Sequence, residues 1–321
     1  MSQHATRSKR VSASYLARAR QRLTIEAART LVKKQLLVKT PVPLVSFTFD
    51  DFPRSAFFEA GSILSRHGAR GTYYASLGLM GKQSPMGTMF EAADLKELLD
   101  LGHELGCHTF GHCHSLNTPP DMYGRAIAEN QEALNALLPG IKFQTFAYPY
   151  SAPSLSVKRV AGRHFSCCRG GGLRPGHYFA RAGGQTFNSG VTDLNLLCAV
   201  FLEKIANNPE AVESLIDQNS RARGWLIFAT HDVRESPSPF GCTPRFFEQV
   251  VRWSLDSGAR ILPVVEALEA LGGTPRQLTT AERLVGGRGA LPLPPPPPLP
   301  YGKAPISGVE PVNTCTPSDL L

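Results

Sequence analysis

Short apolar runs of strand-like composition alternate with longer stretches of helical periodicity between residues 44 and 271 of this 321-residue chain. The first run is VSFTF at residues 45–49, and later ones include TYYA at residues 72–75 and WLIFAT at residues 225–230. Strands that alternate with helices are typical of β/α units, in which the strands form a parallel sheet. The pattern therefore predicts an α/β fold for this part of the chain.

The periodicity also gives approximate positions for the other elements. Further strands are predicted in HELGCHTF, KFQTFAYPYS, HFSCCRGGG and RILP, and residues 195–205 fit a helix and a strand equally well. Apolar residues at helical spacing predict helices over residues 55–67, 91–101, 121–138, 246–257 and the end of 260–271.

The net charge of +8 is concentrated at the N-terminus. Residues 1–40 contain ten Lys and Arg residues and one acid, Glu26, so the other 281 residues carry about −1. The apolar spacing over residues 14–38 predicts an amphipathic helix in this basic arm. A solvated helix is the simplest interpretation, although anionic lipid, nucleic acid or an acidic partner would also suit such an arm. Nucleic-acid binding by the globular part is not expected.

The composition changes after Gly272, and the proline-rich sequence that follows includes LPLPPPPPLP at residues 291–300. Such a run favours polyproline II conformation within a disordered tail. The tail is either a passive spacer or a ligand for an SH3-like or profilin-like partner. We therefore predict three parts: a basic helical arm (residues 1–40), a globular domain (residues 41–272) and a Pro-rich tail (residues 273–321).

Three features bear on location. No run approaches 18 apolar residues, so no membrane-spanning segment is predicted. The long basic start is unlike a secretory signal, whereas its high Arg content, its Ser residues and its near lack of acids resemble an organelle transit peptide. Seven cysteines without a C-x-x-C pair indicate reduced thiols. We expect a cytoplasmic protein, with an organelle location as the alternative.

Ionisable residues follow three of the predicted strands. Asp50 and Asp51 end the first, His108 and His112 lie at the end of another, and His231 ends a third. Because the carboxyl ends of parallel strands meet on one face of such folds, where active sites form, we expect these side chains to lie close together.

His108 and His112 are four residues apart, which on a helical turn places both imidazoles on one side. With one carboxylate they make up the two-His, one-carboxylate set of hydrolytic zinc and non-haem iron sites. Such an ion lowers the pKa of a bound water, whose proton a second aspartate can accept. The alternative is that the histidines are unrelated to a metal and the acids cap the helix that begins near Ser55.

Four segments carry a family resemblance: TFDD (residues 48–51), HTFGH (108–112), FAYPY (146–150) and WLIFATH (225–231). In this order they resemble the motifs of the NodB-like polysaccharide deacetylases, carbohydrate esterase family 4, over about residues 44–271. The resemblance implies a distorted or incomplete (β/α) barrel. It also implies metal-dependent removal of an N- or O-acetyl group from a sugar, for example a chito-oligosaccharide.

The resemblance also implies roles for five residues. Asp51, His108 and His112 would bind the metal, and Asp50 would be the general base. His231 would be the general acid that protonates the departing amine. Zinc is the first expectation for the metal, and cobalt, nickel, iron and manganese suit the same donors.

The third motif departs from the family pattern. The resemblance implies that the backbone N–H of Tyr150 helps to hold the oxyanion and that Tyr148 and Tyr150 shape the sugar groove. The family usually has an arginine at the position of Ala147, where it tunes the base. Either Arg169 or Arg54 could replace it.

Two histidines, His231 and His114, lie in or near these motifs. His231 has no evident aspartate partner, because the adjacent Asp232 would point to the opposite face of a strand. His114 could be a fourth ligand or a donor to a ligand. Two alternative functions also remain: hydrolysis of a non-sugar amide or imide on the same machinery, and a catalytically silent module that binds glycans.

Overall fold

The structure is a computed structural model that describes residue 21, residues 23–171 and residues 186–272. Its strands are β1 (Gln35–Val38), β2 (Leu44–Asp50), β3 (Thr72–Ala75), β4 (Gln83–Ser84), β5 (Gly87–Thr88), β6 (Glu104–Cys107), β7 (Thr145–Ala147), β8 (Cys167–Arg169), β9 (Gly190–Asp193), β10 (Val200–Phe201), β11 (Trp225–Thr230) and β12 (Arg260–Ile261). The helices are residues 23–30, the π-helical Ala56–Gly61 with its continuation Ser62–Arg66, Ala92–Asp100, Pro120–Leu137, Leu155–His164, Pro209–Ala222, Pro244–Asp256 and Val264–Ala270, with 3-10 turns at Leu77–Leu79 and Leu202–Lys204.

One parallel sheet organises the protein, with the strand order β10-β11-β2-β3-β6-β7-β8 and β12 beside the start of β2. The segment that leads into β10 joins the two edges of this sheet. The backbones of Leu194 and Leu197 exchange hydrogen bonds with Cys168 in β8, and Val200 and Phe201 pair with β11. The sheet therefore curls into a distorted, incomplete barrel, which confirms the predicted α/β fold class.

The central strand β2 is buried over all seven of its residues, as expected for a parallel strand covered on both faces. Phe49 packs against Phe247 of a covering helix, with the ring centroids 5.7 Å apart. The alternate residues Ser46 and Thr48 point to the opposite face, towards the barrel interior. The same alternation directs Asp50 to that interior at the end of the strand.

The predicted helices between residues 55 and 271 are confirmed to within about three residues of their ends. The helices Leu155–His164 and Pro209–Ala222 were not predicted. The prediction of a helix over residues 14–38 is wrong at its end, because residues 35–38 form β1, which pairs antiparallel with β9. QLLV suits a helix by composition, and here tertiary pairing overrides that preference.

The buried side chain of Lys158 holds residues 23–38 against the barrel. The Lys158 side chain is 0% exposed, and its Nζ lies 2.5 Å from the Asp193 Oδ2 atom. The same Nζ donates to the carbonyls of Ala28 and Leu31, at 2.6 and 3.0 Å, where the helix at residues 23–30 ends. A cation at a helix C-terminus satisfies carbonyls that have no partner within the helix.

The predicted Pro-rich tail and the first 20 residues of the predicted arm lie outside the described residues. Within the described ranges, no helix combines the length and the apolar character that crossing a bilayer requires.

We expect Lys158→Met to lower the free energy of unfolding by about 3 kcal/mol, because the Asp193 carboxylate and two helix carbonyls lose their donor. Urea unfolding followed by far-UV circular dichroism measures the change. The matched control Lys96→Met removes a lysine that pairs with Asp100 on the surface, where both side chains are exposed. That control should lose less than about 1 kcal/mol. An equal loss of unfolding free energy in the two variants would contradict the role of Lys158 in holding residues 23–38 against the barrel.

Candidate active site

The first part of the site is the turn that follows β2. Asp50 and Asp51 are both buried, and Asp51 and Phe52 have φ angles of 61° and 57°. This left-handed conformation is unusual for residues other than glycine. A strand that continued straight would place the two carboxylates on opposite faces, whereas the turn lets both reach the barrel interior.

Strained backbone recurs around the whole site. Of the eight non-glycine residues with positive φ in the described ranges, six lie in three loops at the carboxyl ends of β2, β6 and β7: Asp51, Phe52, Thr109, His112, Tyr150 and Ser151. Such conformations persist only where the surrounding packing enforces them, and they concentrate at functional sites.

Asp51, His108 and His112 form a cluster with the donors that a metal needs. One ligand atom from each lies within 4.8 Å of the others. The Asp51 Oδ1 atom is 3.6 Å from His108 Nε2 and 3.3 Å from His112 Nε2. This oxygen is buried and has no hydrogen-bond partner among the described residues. A buried carboxylate oxygen without a donor is costly, so the three residues fit a divalent cation.

The two histidines reach Asp51 from a loop and not from the helical turn that the sequence suggested. Residues 108–112 contain no helix, and Thr109 and His112 are left-handed, with φ angles of 61° and 54°. His108 donates from Nδ1 to the Ala147 carbonyl at 2.8 Å, which directs Nε2 towards Asp51. Burial lowers the pKa of His108 to about 4, although Asp50 and Asp51 act to raise it. The imidazole is therefore neutral near pH 7, as a metal ligand must be.

Asp50 is paired with a buried arginine. The Arg169 guanidinium donates to the Asp50 Oδ1 atom, and both side chains are buried. Tyr74 and Phe201 contribute aromatic rings 5.1 and 5.6 Å from the guanidinium carbon. Burial alone would raise the pKa of Asp50, but Arg169, with smaller contributions from two histidines, holds this pKa below its ordinary value. Asp50 is therefore a charged carboxylate.

The position of Arg169 accounts for the missing arginine of the third motif. Ala147 in β7 lies directly opposite Arg169 in β8. The guanidinium thus comes from the neighbouring strand at the same level of the barrel. Arg54, the other arginine considered, pairs instead with Asp94 and Glu91.

His231 follows β11 and faces the same interior. Its Nδ1 atom donates to the Phe240 carbonyl at 3.1 Å, and its ring stacks on Phe201 at 5.9 Å. Asp232 turns away and accepts hydrogen bonds from the backbone N–H and the hydroxyl of Ser238. The partner of His231 Nδ1 is therefore the backbone carbonyl of Phe240 and not an aspartate side chain.

Glu203 is a site residue that sequence reasoning missed. Its Oε2 atom is buried without a hydrogen-bond partner in the described ranges. Burial raises the pKa of Glu203 to about 7, while the nearby His231 acts to lower it. Glu203 lies in the apolar segment 195–205 that fitted neither a helix nor a strand clearly, so no pattern pointed to it.

The two tyrosines of the third motif lie in different environments. Tyr150 is 38% exposed on the rim, and its ring lies 4.9 Å from His112 and stacks on His114 at 4.4 Å. Tyr148 is 1% exposed, and its hydroxyl donates to the Asn195 carbonyl at 3.0 Å. The structure therefore places the Tyr148 side chain within the barrel wall, and its part in shaping the groove stays a prediction.

Two further predictions for these loops concern His114 and the backbone N–H of Tyr150. In the described ranges the cluster of possible metal ligands comprises Asp51, His108 and His112, and the His114 ring stacks on Tyr150. A role of His114 as a fourth ligand or as a donor to a ligand stays a prediction. The oxyanion role of the Tyr150 backbone N–H stays a prediction.

Part of the chain matches a known protein family. A family model described as polysaccharide deacetylase matches residues 38–164. No curated protein matches the chain significantly. The matched range contains Asp50, Asp51, His108 and His112, whereas His231 lies outside it.

Several solved structures are similar to the chain at low identity. The Xyl-CE4 domain of a multidomain xylanase from the hindgut metagenome of Trinervitermes trinervoides is 17% identical, with a TM-score of 0.47 over 73% of this chain and 93% of that one. A family 4 acetyl xylan esterase from Clostridium thermocellum, in complex with a cobalt ion, is 19% identical, with a TM-score of 0.48 over 72% and 93%. A CE4 family pseudoenzyme from Bacillus anthracis is 12% identical, with a TM-score of 0.45 over 71% and 66%.

We expect His112→Ala to weaken the binding of a divalent ion by more than about a hundredfold, because it removes one of three protein ligands. Equilibrium dialysis against zinc followed by elemental analysis gives the bound metal per chain. The control His164→Ala changes an exposed histidine outside the cluster and should leave the metal content unchanged. Equal metal binding by His112→Ala and the unsubstituted protein would exclude this site.

Proposed function

Residues 38–164 of this chain belong to the polysaccharide deacetylase family, and from this premise we propose that the protein is a metal-dependent hydrolase that removes an acetyl group from an acetylated sugar. One observation carries the proposal. Asp51, His108 and His112 converge with an unsatisfied carboxylate oxygen, and the charged carboxylate of Asp50 lies directly beside them. A cation site next to a separate base is the arrangement that hydrolysis of an amide or ester requires.

The ligand cluster would hold a single divalent ion, with zinc the first expectation. When bound, such an ion supplies an electrophile for the acetyl carbonyl and an activated water molecule. Asp51 gives the negative charge of the ligand set, and His108 and His112 give neutral nitrogen donors.

Asp50 acts as the general base. Its carboxylate accepts the proton of the attacking water, and its pairing with Arg169 keeps it charged before the reaction begins. The aromatic rings of Tyr74 and Phe201 hold the guanidinium in place, so the carboxylate does not need to reorient when it accepts the proton.

His231 acts as the general acid. Because its Nδ1 atom is engaged with the Phe240 carbonyl, Nε2 is the atom that carries a proton to the leaving nitrogen or oxygen. Stacking on Phe201 fixes the plane of the imidazole ring. The same Phe201 ring also lies against Arg169, so one side chain positions both the acid and the partner of the base.

Two exposed aromatic rings support a sugar as the substrate. Tyr150 lies beside His112, and Phe240, which is 40% exposed, lies 5.7 Å from the His231 ring. They stand beside a metal ligand and beside the proposed acid, and such apolar faces suit the flat sides of sugar rings. Acetate release from chito-oligosaccharides, acetylated xylo-oligosaccharides and small acetamides tests this assignment. A preference for small acetamides would favour the non-sugar alternative.

We expect Asp50→Asn to reduce acetate release by about a thousandfold, because an amide cannot accept the proton of the attacking water. The measurement is the initial rate of acetate release at saturating zinc. Bound metal should stay near one ion per chain, since Asp50 lies outside the ligand cluster.

Two controls accompany this experiment. Asp100→Asn changes an exposed aspartate that pairs with Lys96 and should leave the rate unchanged. If the unsubstituted protein binds chito-oligosaccharide without releasing acetate, and Asp50→Asn binds it equally well, the protein is a silent glycan-binding module.

We expect Arg169→Gln to lower the free energy of unfolding by about 3 kcal/mol, because it leaves the Asp50 carboxylate buried without its partner. The double variant Asp50→Asn/Arg169→Gln should be destabilised by at least about 2 kcal/mol less than the sum of the single variants. Urea unfolding of the four proteins gives this coupling energy. Additive losses would mean that the two side chains do not support each other.

The catalytic role of this pair has its own readout. Arg169→Lys keeps the charge and should recover part of the acetate release that Arg169→Gln loses. Arg54→Gln, whose partners are Asp94 and Glu91, should change the rate by less than about twofold. Equal loss in Arg169→Lys and Arg169→Gln would show that charge on this side chain is not what the base requires.

A further inference from the structure

The small sheet formed by β1 and β9 exposes two large aliphatic side chains next to each other. Leu37 and Val191 are direct partners in this antiparallel pair, and they are 61% and 65% exposed. In the part of the chain that the structure describes, β1 and β9 pair only with each other. Adjacent exposed aliphatic residues are unfavourable in water, so this pair is a candidate contact surface.

Basic side chains surround this aliphatic pair. A groove of about 510 Å³ beside Leu37 is lined by Lys39, Arg221 and Arg223, and no acidic residue lines it. Arg221 also contacts Asp217 at the surface, so the groove is positive but partly compensated. Positive charge and aliphatic surface therefore occur together at this end of the protein.

The patch lies at the end of the barrel opposite the candidate active site. Thr40 donates from its backbone N–H and its hydroxyl to the carbonyl of Arg223, just before β2 and β11 begin. The active-site residues follow the carboxyl ends of the same strands. Since β2 has seven residues, the two ends are separated by about 20 Å.

We propose that Leu37, Val191, Lys39, Arg221 and Arg223, here called the basal patch, dock the protein reversibly onto an anionic lipid surface. Aliphatic side chains favour the boundary between headgroups and acyl chains, and Lys and Arg favour anionic headgroups. Surfaces that bind single-stranded nucleic acid add aromatic rings on which bases stack, and the basal patch has none. Lipid is therefore the partner whose chemistry matches both components of the patch.

The docked orientation leaves catalysis undisturbed. The basal patch would face the bilayer, and the loops with Asp50, His108 and His231 would face away from it into solution. Attachment through a few charges and two aliphatic side chains is weak and sensitive to salt, as in proteins that bind membranes peripherally.

The test is co-sedimentation of the full chain with vesicles of phosphatidylcholine, with and without phosphatidylserine. We expect binding only to the anionic vesicles. The variant Lys39→Gln/Arg221→Gln/Arg223→Asn should bind them about a hundredfold more weakly, because each basic residue near the surface contributes separately. Asparagine is chosen at position 223 because Arg223 has a φ angle of 49° and asparagine tolerates this conformation.

Two further variants separate charge from aliphatic contact. Leu37→Thr/Val191→Thr keeps β-strand preference and all charges, and it should weaken vesicle binding by about tenfold. The control Lys96→Gln/Arg125→Gln/Arg252→Gln removes the same charge from three exposed residues, each paired with an acid four residues away, as Arg221 is. This control should retain nearly all binding. Acetate release from a soluble substrate should be the same in all three variants.

Several results would overturn the proposal. The proposal is wrong if the full chain does not bind anionic vesicles at physiological salt. It is also wrong if the control variant loses as much vesicle binding as the basic triple variant. Tighter binding to a single-stranded RNA homopolymer, lost in the basic triple variant, would show a nucleic-acid surface instead. A dimer in light scattering that Leu37→Thr/Val191→Thr converts to a monomer would show an interface between two copies of the chain.

Discussion

Two adjacent carboxylates buried at the end of β2 require positive charge, because an isolated ionised group in a protein interior is very costly. For Asp50 the positive charge is the guanidinium of Arg169. For Asp51 no such charge is present in the described residues, because its Oδ1 atom lies near two imidazoles and has no hydrogen-bond donor there. The fold itself therefore supplies the partner of Asp50, whereas Asp51 retains a place for the cation that we propose.

The division has a consequence for the order in which the site is assembled. The ion pair of Asp50 and Arg169 belongs to the folded chain, so the proposed base is charged and oriented without a metal. The cost of holding Asp51 and His112 in left-handed conformations is also met by packing around the loops. A divalent ion would therefore add the last charge to a site that is already arranged, and little ordering would oppose its binding.

The sequence predicted the parts of the site that depend on strand direction. Asp50, Asp51 and His231 each end an apolar run, and parallel strands bring such ends together wherever the fold class is correct. Contacts between strands were not predictable in the same way. The distance from Arg169 to Asp50 depends on the register of β8 against β7, which leaves no local pattern. Glu203 was missed for the same reason, since its proximity to His231 arises only from the curling of the sheet.

The errors concern residues whose structure is decided by distant partners. QLLV at residues 35–38 forms a strand because β9 is available to pair with it. That pairing also places Leu37 beside Val191, so the exposed aliphatic pair could not have been recognised while these residues were interpreted as helix. The two ends to which we assign functions thus differ in origin. Ionisable residues at the strand termini form the candidate active site from the geometry of the barrel, whereas a short strand outside the barrel forms the basal patch, where substitutions would leave the candidate active site intact.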